Sequence, residues 1–116
     1  AMRKLIFAGV AVAALAGPAL TDDAVFTGNK LFSYCTGGGD YGEGACTGYI
    51  NGVSAGLRAA GLVCEANTVT FGQEHDIVVK FLSDHPELLH MPAYGLTTTA
   101  MIQAFPCPTT RVNASK

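Results

Sequence analysis

Four cysteines and three histidines are the residues of this 116-residue chain with the greatest potential for chemistry. A thiolate beside an imidazole supplies the nucleophile and the base of a thiol hydrolase. The cysteines are Cys35, Cys46, Cys64 and Cys107, and the histidines are His75, His85 and His90. An even number of cysteines in an exported chain is typical of two disulfides, which leave no thiol for catalysis. The cysteines are therefore predicted to be structural.

The spacing of the same residues does not indicate a metal site. No Cys-x-x-Cys pair occurs, so neither a zinc knuckle nor a thioredoxin-like redox site is predicted. His85 and His90 are five residues apart, which departs from the four-residue spacing that puts two ligands on one helical face. We therefore expect no metal and no cofactor.

Asp40 and Glu43 are a candidate acid pair for glycoside cleavage, which needs two carboxylates at a fixed separation. They lie in residues 36–44, where five of nine residues are glycine, and this composition predicts a loop. A glycine-rich loop does not hold two carboxylates at a set distance. The stretch also lacks the Gly-Lys-Ser/Thr ending of a phosphate-binding loop, so no enzyme is predicted.

The N-terminus has the pattern of a secretory signal peptide. Arg3 and Lys4 precede an apolar run from Leu5 to Gly17, and Ala16 closes a small-x-small cleavage site. The run has 13 residues, whereas a membrane-spanning helix needs about 20, so cleavage is favoured over a permanent anchor. The predicted division of the chain is a signal peptide over residues 1–16, a helical domain over 17–108 and a polar tail over 109–116.

The charge of the chain after residue 16 is acidic, with five Lys and Arg against nine Asp and Glu. Nucleic acid and anionic membranes attract basic surfaces, so neither is a predicted ligand. Solubility, or a basic protein partner, fits this charge better.

Apolar residues at steps of three and four predict four helices, over residues 22–34, 45–60, 70–84 and 92–105. Thr70 and Gln73 form a capping box at the start of the third, and Gly61 is expected to end the second. The run Thr97–Thr99 is as compatible with a strand as with a helix on propensity alone. The predicted fold class is all-α, a small antiparallel bundle of about four helices.

Gly48, Gly52 and Gly56 are spaced by four residues on the second predicted helix. This spacing gives a flat groove that another helix can approach closely, and packing inside the domain is its expected use.

Helix order constrains the disulfides. In an antiparallel bundle with short links, the end of the first helix and the start of the second meet at one pole, which places Cys35 near Cys46. The ends of the second and fourth helices meet at the other pole, which places Cys64 near Cys107.

Asp40, Tyr41 and Glu43 are the predicted partner-binding residues. The glycine-rich loop that carries them is closed at its base by the expected Cys35–Cys46 bridge, which limits the entropy lost on docking. Tyrosine is a frequent interface anchor, and two carboxylates suit a basic cleft. The alternatives are that the loop is only a linker, and that the connection His85–Pro92 binds the partner.

Several segments of the chain resemble the Rap/Tai immunity proteins, and the resemblance covers nearly all of the mature part. The segments are Phe26–Leu31, Cys46–Val53, His85–His90 and Ala104–Pro108, together with Cys35 and Cys64. The most specific are Cys-x-Gly-Tyr-Ile-x-Gly-Val, from Cys46 to Val53, and the Phe-Pro-Cys ending at Cys107. The resemblance implies a periplasmic helical protein that binds a peptidoglycan amidase delivered by type VI secretion and blocks its catalytic cleft.

Other functions compatible with the sequence remain open. A small periplasmic holdase chaperone of the acid-stress type shares the size, the export signal and the disulfides, and would expose apolar surface when histidines and carboxylates protonate. An inhibitor of another cell-wall hydrolase, or an anchored regulator that keeps its signal segment, is also compatible. The sequence does not decide between a monomer and a homodimer.

Overall fold

The computed structural model describes residues 25–108, so the predicted signal peptide and polar tail lie outside the described residues. The described part contains the helices α1 (Gly28–Gly37), α2 (Gly39–Ala59), α3 (Phe71–Asp84) and α4 (Ala93–Ala104), with a 3-10 turn at Pro86–Leu88. Within these residues the only β pairing is an isolated bridge between Thr27 and Pro92. The prediction of an all-α bundle of four helices is confirmed.

Each helix packs against the next one along the chain, and α4 also packs against α2 and α1. The contacts enclose one core, to which all four helices contribute. Its buried apolar residues are Leu31, Cys46, Ile50, Leu57, Val63, Val78, Leu82, Ala93, Leu96, Ala100 and Met101. Burial of a side chain the size of leucine contributes about 2 kcal/mol, so this core is the main source of the bundle's stability. In the described part of the chain, no helix is both long and apolar enough to span a membrane.

The first helix begins later than the sequence predicts. The side chain of Thr27 accepts a hydrogen bond from the backbone N–H of Lys30 at 3.3 Å, so α1 starts at Gly28 and not near residue 22. A Cβ atom at Gly28 would lie 3.0 Å from the backbone oxygen of Leu89, which explains why glycine stands there. Gly28 is the first residue of α1.

The predicted loop over residues 36–44 is wrong. Helix α1 continues to Gly37 and α2 begins at Gly39, so Gly38 alone separates the two helices. Helix α2 therefore starts six residues before the predicted start at residue 45.

The glycines at the junction of α1 and α2 allow the two helices to pack closely, and they do not form a flexible loop. Gly39 has a φ of +64°, a backbone conformation that glycine adopts at little cost. A Cβ atom at Gly38 would lie 2.7 Å from the Cα atom of Gly42, and one at Gly42 would lie 2.9 Å from the backbone oxygen of Tyr34. Only residues without a side chain allow α1 and α2 to meet this closely.

The second helix ends as predicted. Gly61 has a φ of +71°, and its N–H donates to the carbonyl of Arg58 at 3.0 Å. The N–H of Leu62 donates to the carbonyl of Leu57 at 2.9 Å. These two hydrogen bonds form a Schellman motif, which satisfies the last carbonyls of the helix.

The expected helix-packing groove along α2 is not used inside the domain. Gly48, Gly52 and Gly56 are exposed, and a Cβ atom at any of them would have open space around it. The buried face of α2 carries Cys46, Ile50, Ser54 and Leu57, and the glycines lie on the opposite face. The prediction of internal packing is therefore wrong.

The starts of α3 and α4 agree with the sequence signals. The Thr70 hydroxyl accepts from the Gln73 N–H at 3.1 Å, and the Gln73 side chain accepts from the Thr70 N–H at 2.8 Å, which completes the predicted capping box. Pro92 precedes α4, and the threonine run is helical. Because Thr97 is fully buried in the core, tertiary packing decides against the strand that its propensity allows.

Both predicted disulfides are present. Cys35–Cys46 joins α1 to α2 beside the junction of the two helices, with 5.1 Å between the Cα atoms. Cys64–Cys107 joins the segment after α2 to the segment after α4, with 4.8 Å between the Cα atoms. The bridges close loops of 11 and 43 residues, for which the chain-entropy model gives about 3 and 4 kcal/mol of stabilisation.

Candidate functional site

The three predicted partner-binding residues lie together at the start of α2, on a helix instead of a loop. Tyr41 is 77% exposed, and its ring meets the ring of Tyr34 edge-on, with 6.1 Å between the centroids. Asp40 lies in the first turn of α2, where the helix dipole favours a negative charge. We call the surface formed by Asp40, Tyr41 and Glu43 the α2 corner.

The α2 corner is held in place from two sides. The Cys35–Cys46 disulfide ties it to α1, and Glu43 reaches towards α3, with its Oε1 atom 3.5 Å from His75 Nε2. His75 Nδ1 in turn lies 2.9 Å from Asp76 Oδ1. A shallow cleft of about 340 Å³ lies beside the corner, lined by Tyr34, residues 35–40 and Glu43. The corner therefore offers an exposed aromatic ring and two carboxylates on a rigid support.

A second candidate surface lies where the 3-10 turn leads into α4, at the predicted alternative binding segment. A groove of about 360 Å³ with mostly apolar walls is open there, and it is lined by Leu88, Met91, Pro92, Tyr94, Gly95, Leu96 and Thr99. Tyr94 is 64% exposed and Met91 is 44% exposed. An exposed tyrosine beside an apolar groove is a common arrangement at protein interfaces.

A buried charge cluster joins the end of α2 to α3, and sequence reasoning did not find it. One guanidinium nitrogen of Arg58, Nη1, donates to carboxylate oxygens of both Glu65 and Glu74, at 2.5 Å for Glu74. Glu74 is 1% exposed, and its second oxygen has no hydrogen-bond partner among the described residues. The three residues come from separate segments, so no spacing rule in the sequence indicates their contact.

This cluster has more negative than positive groups, because the carboxylates of Glu65 and Glu74 share the one guanidinium of Arg58. Burial raises the pKa of the Glu74 carboxyl above its usual value; the hydrogen bond from Arg58 opposes the rise, and the charge of Glu65 adds to it. Glu74 lies in the first turn of α3, where the helix dipole favours a negative charge. The structure shows that it is part of the packing between α2 and α3.

The described residues offer no nucleophile for a thiol hydrolase. All four cysteines are paired in disulfides, so no thiolate is available to act as a nucleophile. His85 Nδ1 lies 3.0 Å from Glu87 Oε1, and this hydrogen bond lowers the pKa of the exposed Glu87. His90 is exposed.

The family model of the Rap1a immunity proteins matches residues 27–107, which include all four helices and both disulfides. No curated protein and no solved structure matches the chain significantly.

Proposed function

Because the chain belongs to the family of Rap1a immunity proteins, we propose that it binds a peptidoglycan amidase effector delivered by type VI secretion and blocks its active site. The proposal rests on membership of this family, because immunity proteins act by binding a secreted effector. The match spans the whole described bundle and not a single motif. The protein is accordingly an inhibitor and not an enzyme in this proposal.

The periplasm is the proposed site of action, because peptidoglycan amidases act there. Two features support this location. The N-terminal residues have the pattern of a cleavable signal peptide. All four cysteines are paired in disulfides, which persist in oxidising compartments.

The α2 corner is the proposed docking surface for the effector. Its tyrosine is exposed and rests on a second aromatic ring, so little side-chain entropy is lost when a partner covers it. Asp40 and Glu43 add negative charge beside the ring, which suits an effector with a basic rim around its cleft. Because the corner is helical and bridged by a disulfide, it is better organised for binding than the loop that the sequence predicted.

A binding experiment with matched tyrosine variants tests this proposal. The exported protein, with its disulfides formed, is titrated calorimetrically with each peptidoglycan amidase effector encoded by the same genome. Tyr41→Ala should weaken binding by at least about thirtyfold, or 2 kcal/mol, with an unchanged thermal midpoint. Tyr94→Ala is the matched control, since it removes another largely exposed tyrosine, from the second candidate surface.

The possible outcomes distinguish the α2 corner from the groove beside α4, and effector binding from chaperone activity. If Tyr94→Ala weakens binding and Tyr41→Ala does not, the effector docks at the groove beside α4. Failure of every amidase to bind would contradict the proposed function itself. Suppression of aggregation of unrelated proteins, in acid only, would favour the holdase chaperone.

A further inference from the structure

We propose that the cleft between the end of α2 and the start of α3, the α2–α3 cleft, binds the guanidinium group of an arginine side chain from a partner protein. The cleft has a volume of about 270 Å³. Its polar wall is formed by Arg58, Glu65 and Glu74, and Val69 and Phe71 are among its apolar residues. The cleft lies about 20 Å along α2 from the α2 corner, at about 1.5 Å per residue, so this inference does not depend on the proposed function.

Two buried carboxylates of the α2–α3 cleft each have an oxygen without a donor. The side chain of Glu65 is 4% exposed, and that of Glu74 is 2% exposed. Each accepts a hydrogen bond from Arg58 Nη1 through its Oε1 atom, and each Oε2 atom has no hydrogen-bond partner among the described residues. Buried polar atoms nearly always have a partner, so two unpaired oxygens at one cleft indicate a ligand that donates hydrogen bonds.

The charge of the cleft favours a cation. Two carboxylates face one guanidinium, and Arg58 is the only cation that contacts them within residues 25–108. One added positive charge would make the cleft neutral, so the attraction to two carboxylates exceeds the repulsion from Arg58. A buried charge without a partner is costly, whereas charge-assisted hydrogen bonds are among the stronger contacts in proteins.

The chemistry of the donor favours arginine over lysine. A guanidinium has five N–H groups in a planar fork, so it can donate to Glu65 and Glu74 at once. It is also less strongly hydrated than an ammonium, and it stacks on aromatic rings. Phe71, the first residue of α3, is 63% exposed and lines the cleft, so its ring can cover the flat face of the ligand. A partner protein is the inferred source, because the chain after residue 16 has five Lys and Arg against nine Asp and Glu, and this acidic charge attracts basic proteins.

Nuclear magnetic resonance with capped amino acids tests the cleft in the disulfide-bonded protein. N-acetyl-arginine amide should shift the amide signals of Arg58, Glu65 and Phe71 in a saturable way at neutral pH. The citrulline derivative has the same shape without the charge and should give no saturable shift, and the lysine derivative should bind at least about threefold more weakly. A capped Leu-Arg-Leu tripeptide, which presents the guanidinium from a polypeptide, should bind at least as tightly as the capped arginine.

Substitutions in the cleft show whether its own side chains hold the ligand. Glu65→Gln and Glu74→Gln should each weaken binding of the capped arginine at least about tenfold, since each removes a charged acceptor. Phe71→Ala changes an exposed side chain, which keeps the test valid if the buried variants fail to fold, and it should weaken binding about threefold. Asp84→Asn is the matched control, because it removes an exposed carboxylate from the other end of α3 and should leave binding unchanged.

Four results would overturn the proposal. Absence of saturable shifts at the cleft, or equal shifts from the arginine and citrulline derivatives, would show that no guanidinium is recognised. Unchanged binding in both Glu65→Gln and Glu74→Gln would place the ligand elsewhere. Failure of the tripeptide to bind would contradict a protein as the source of the group. Binding that occurs only in Arg111→Gln would show that an arginine of the same chain fills the cleft instead of one from a partner.

Discussion

Replacement of Arg58 by alanine should destabilise the protein at neutral pH far more than loss of an ordinary surface charge. Arg58 is the one cation that the structure places against the buried carboxylates of Glu65 and Glu74 within residues 25–108. Removing one partner of a buried ion pair typically costs about 3–5 kcal/mol. Since the Arg58 side chain is 37% exposed, we expect the lower end, about 3 kcal/mol.

The stability lost in Arg58→Ala should be smaller in mild acid than at neutral pH. The pKa of Glu74 is raised in the folded protein, mainly by burial, so protonation of this carboxyl favours the folded state. The stability that Glu74 contributes is fully present below the pKa that its carboxyl has in the unfolded chain. This stability is lost as pH rises through the higher pKa that the carboxyl has in the folded protein. Removing Arg58 raises the folded pKa of Glu74 further, so the variant should recover stability in mild acid relative to the wild type.

Urea unfolding with the disulfides intact measures both effects. Lys80→Ala is the matched control, because Lys80 forms an exposed i, i+4 pair with Asp84 at 2.6 Å and should contribute at most about 0.5 kcal/mol. The double variant Arg58→Ala/Glu74→Gln should be more stable at neutral pH than Arg58→Ala alone, since glutamine leaves no buried charge at this position. The reasoning is refuted if Arg58→Ala costs no more than Lys80→Ala, or if its cost is the same at neutral and acid pH.

Local substitutions test the account of the helix boundaries, with thermal unfolding as the measurement in each case. Gly42→Ala should cost about 1–3 kcal/mol, because a methyl group has no space at the α1–α2 corner. Gly48→Ala, in open space on the same helix, should instead stabilise the protein by about 0.5–1 kcal/mol, and equal effects of the two changes would refute the close packing at the corner. Thr70→Ala should lower stability by about 1 kcal/mol through loss of the capping box at α3, and an unchanged midpoint would show that the cap contributes nothing.

The parts of the fold that the sequence predicts are those determined by contacts between near neighbours. The Thr70–Gln73 cap and the positive φ of Gly61 are of this kind, and both are present. The corner between α1 and α2 could not be predicted in this way. A cluster of glycines is typical of loops and also of closely packed helices. Close packing applies here because the backbone of Tyr34 lies against Gly42, and this contact is visible only in the folded structure.

The candidate sites show the same limit. Asp40, Tyr41 and Glu43 do lie on one exposed surface, because they are close in sequence. The contacts of Arg58 with Glu65 and Glu74 join separate segments, and so does the approach of Glu43 to His75. Such contacts depend on how helices pack against each other, and residue spacing does not encode this packing.

Inhibition of an amidase effector by the purified protein tests the central claim most directly. Peptidoglycan hydrolysis by a fixed amount of the effector is measured at neutral pH while the disulfide-bonded protein is added in increasing amounts. Blocking of the active site predicts that activity falls linearly to zero at one protein for each effector molecule. Full hydrolytic activity in the presence of excess protein, for every peptidoglycan amidase effector of the same genome, would contradict the claim.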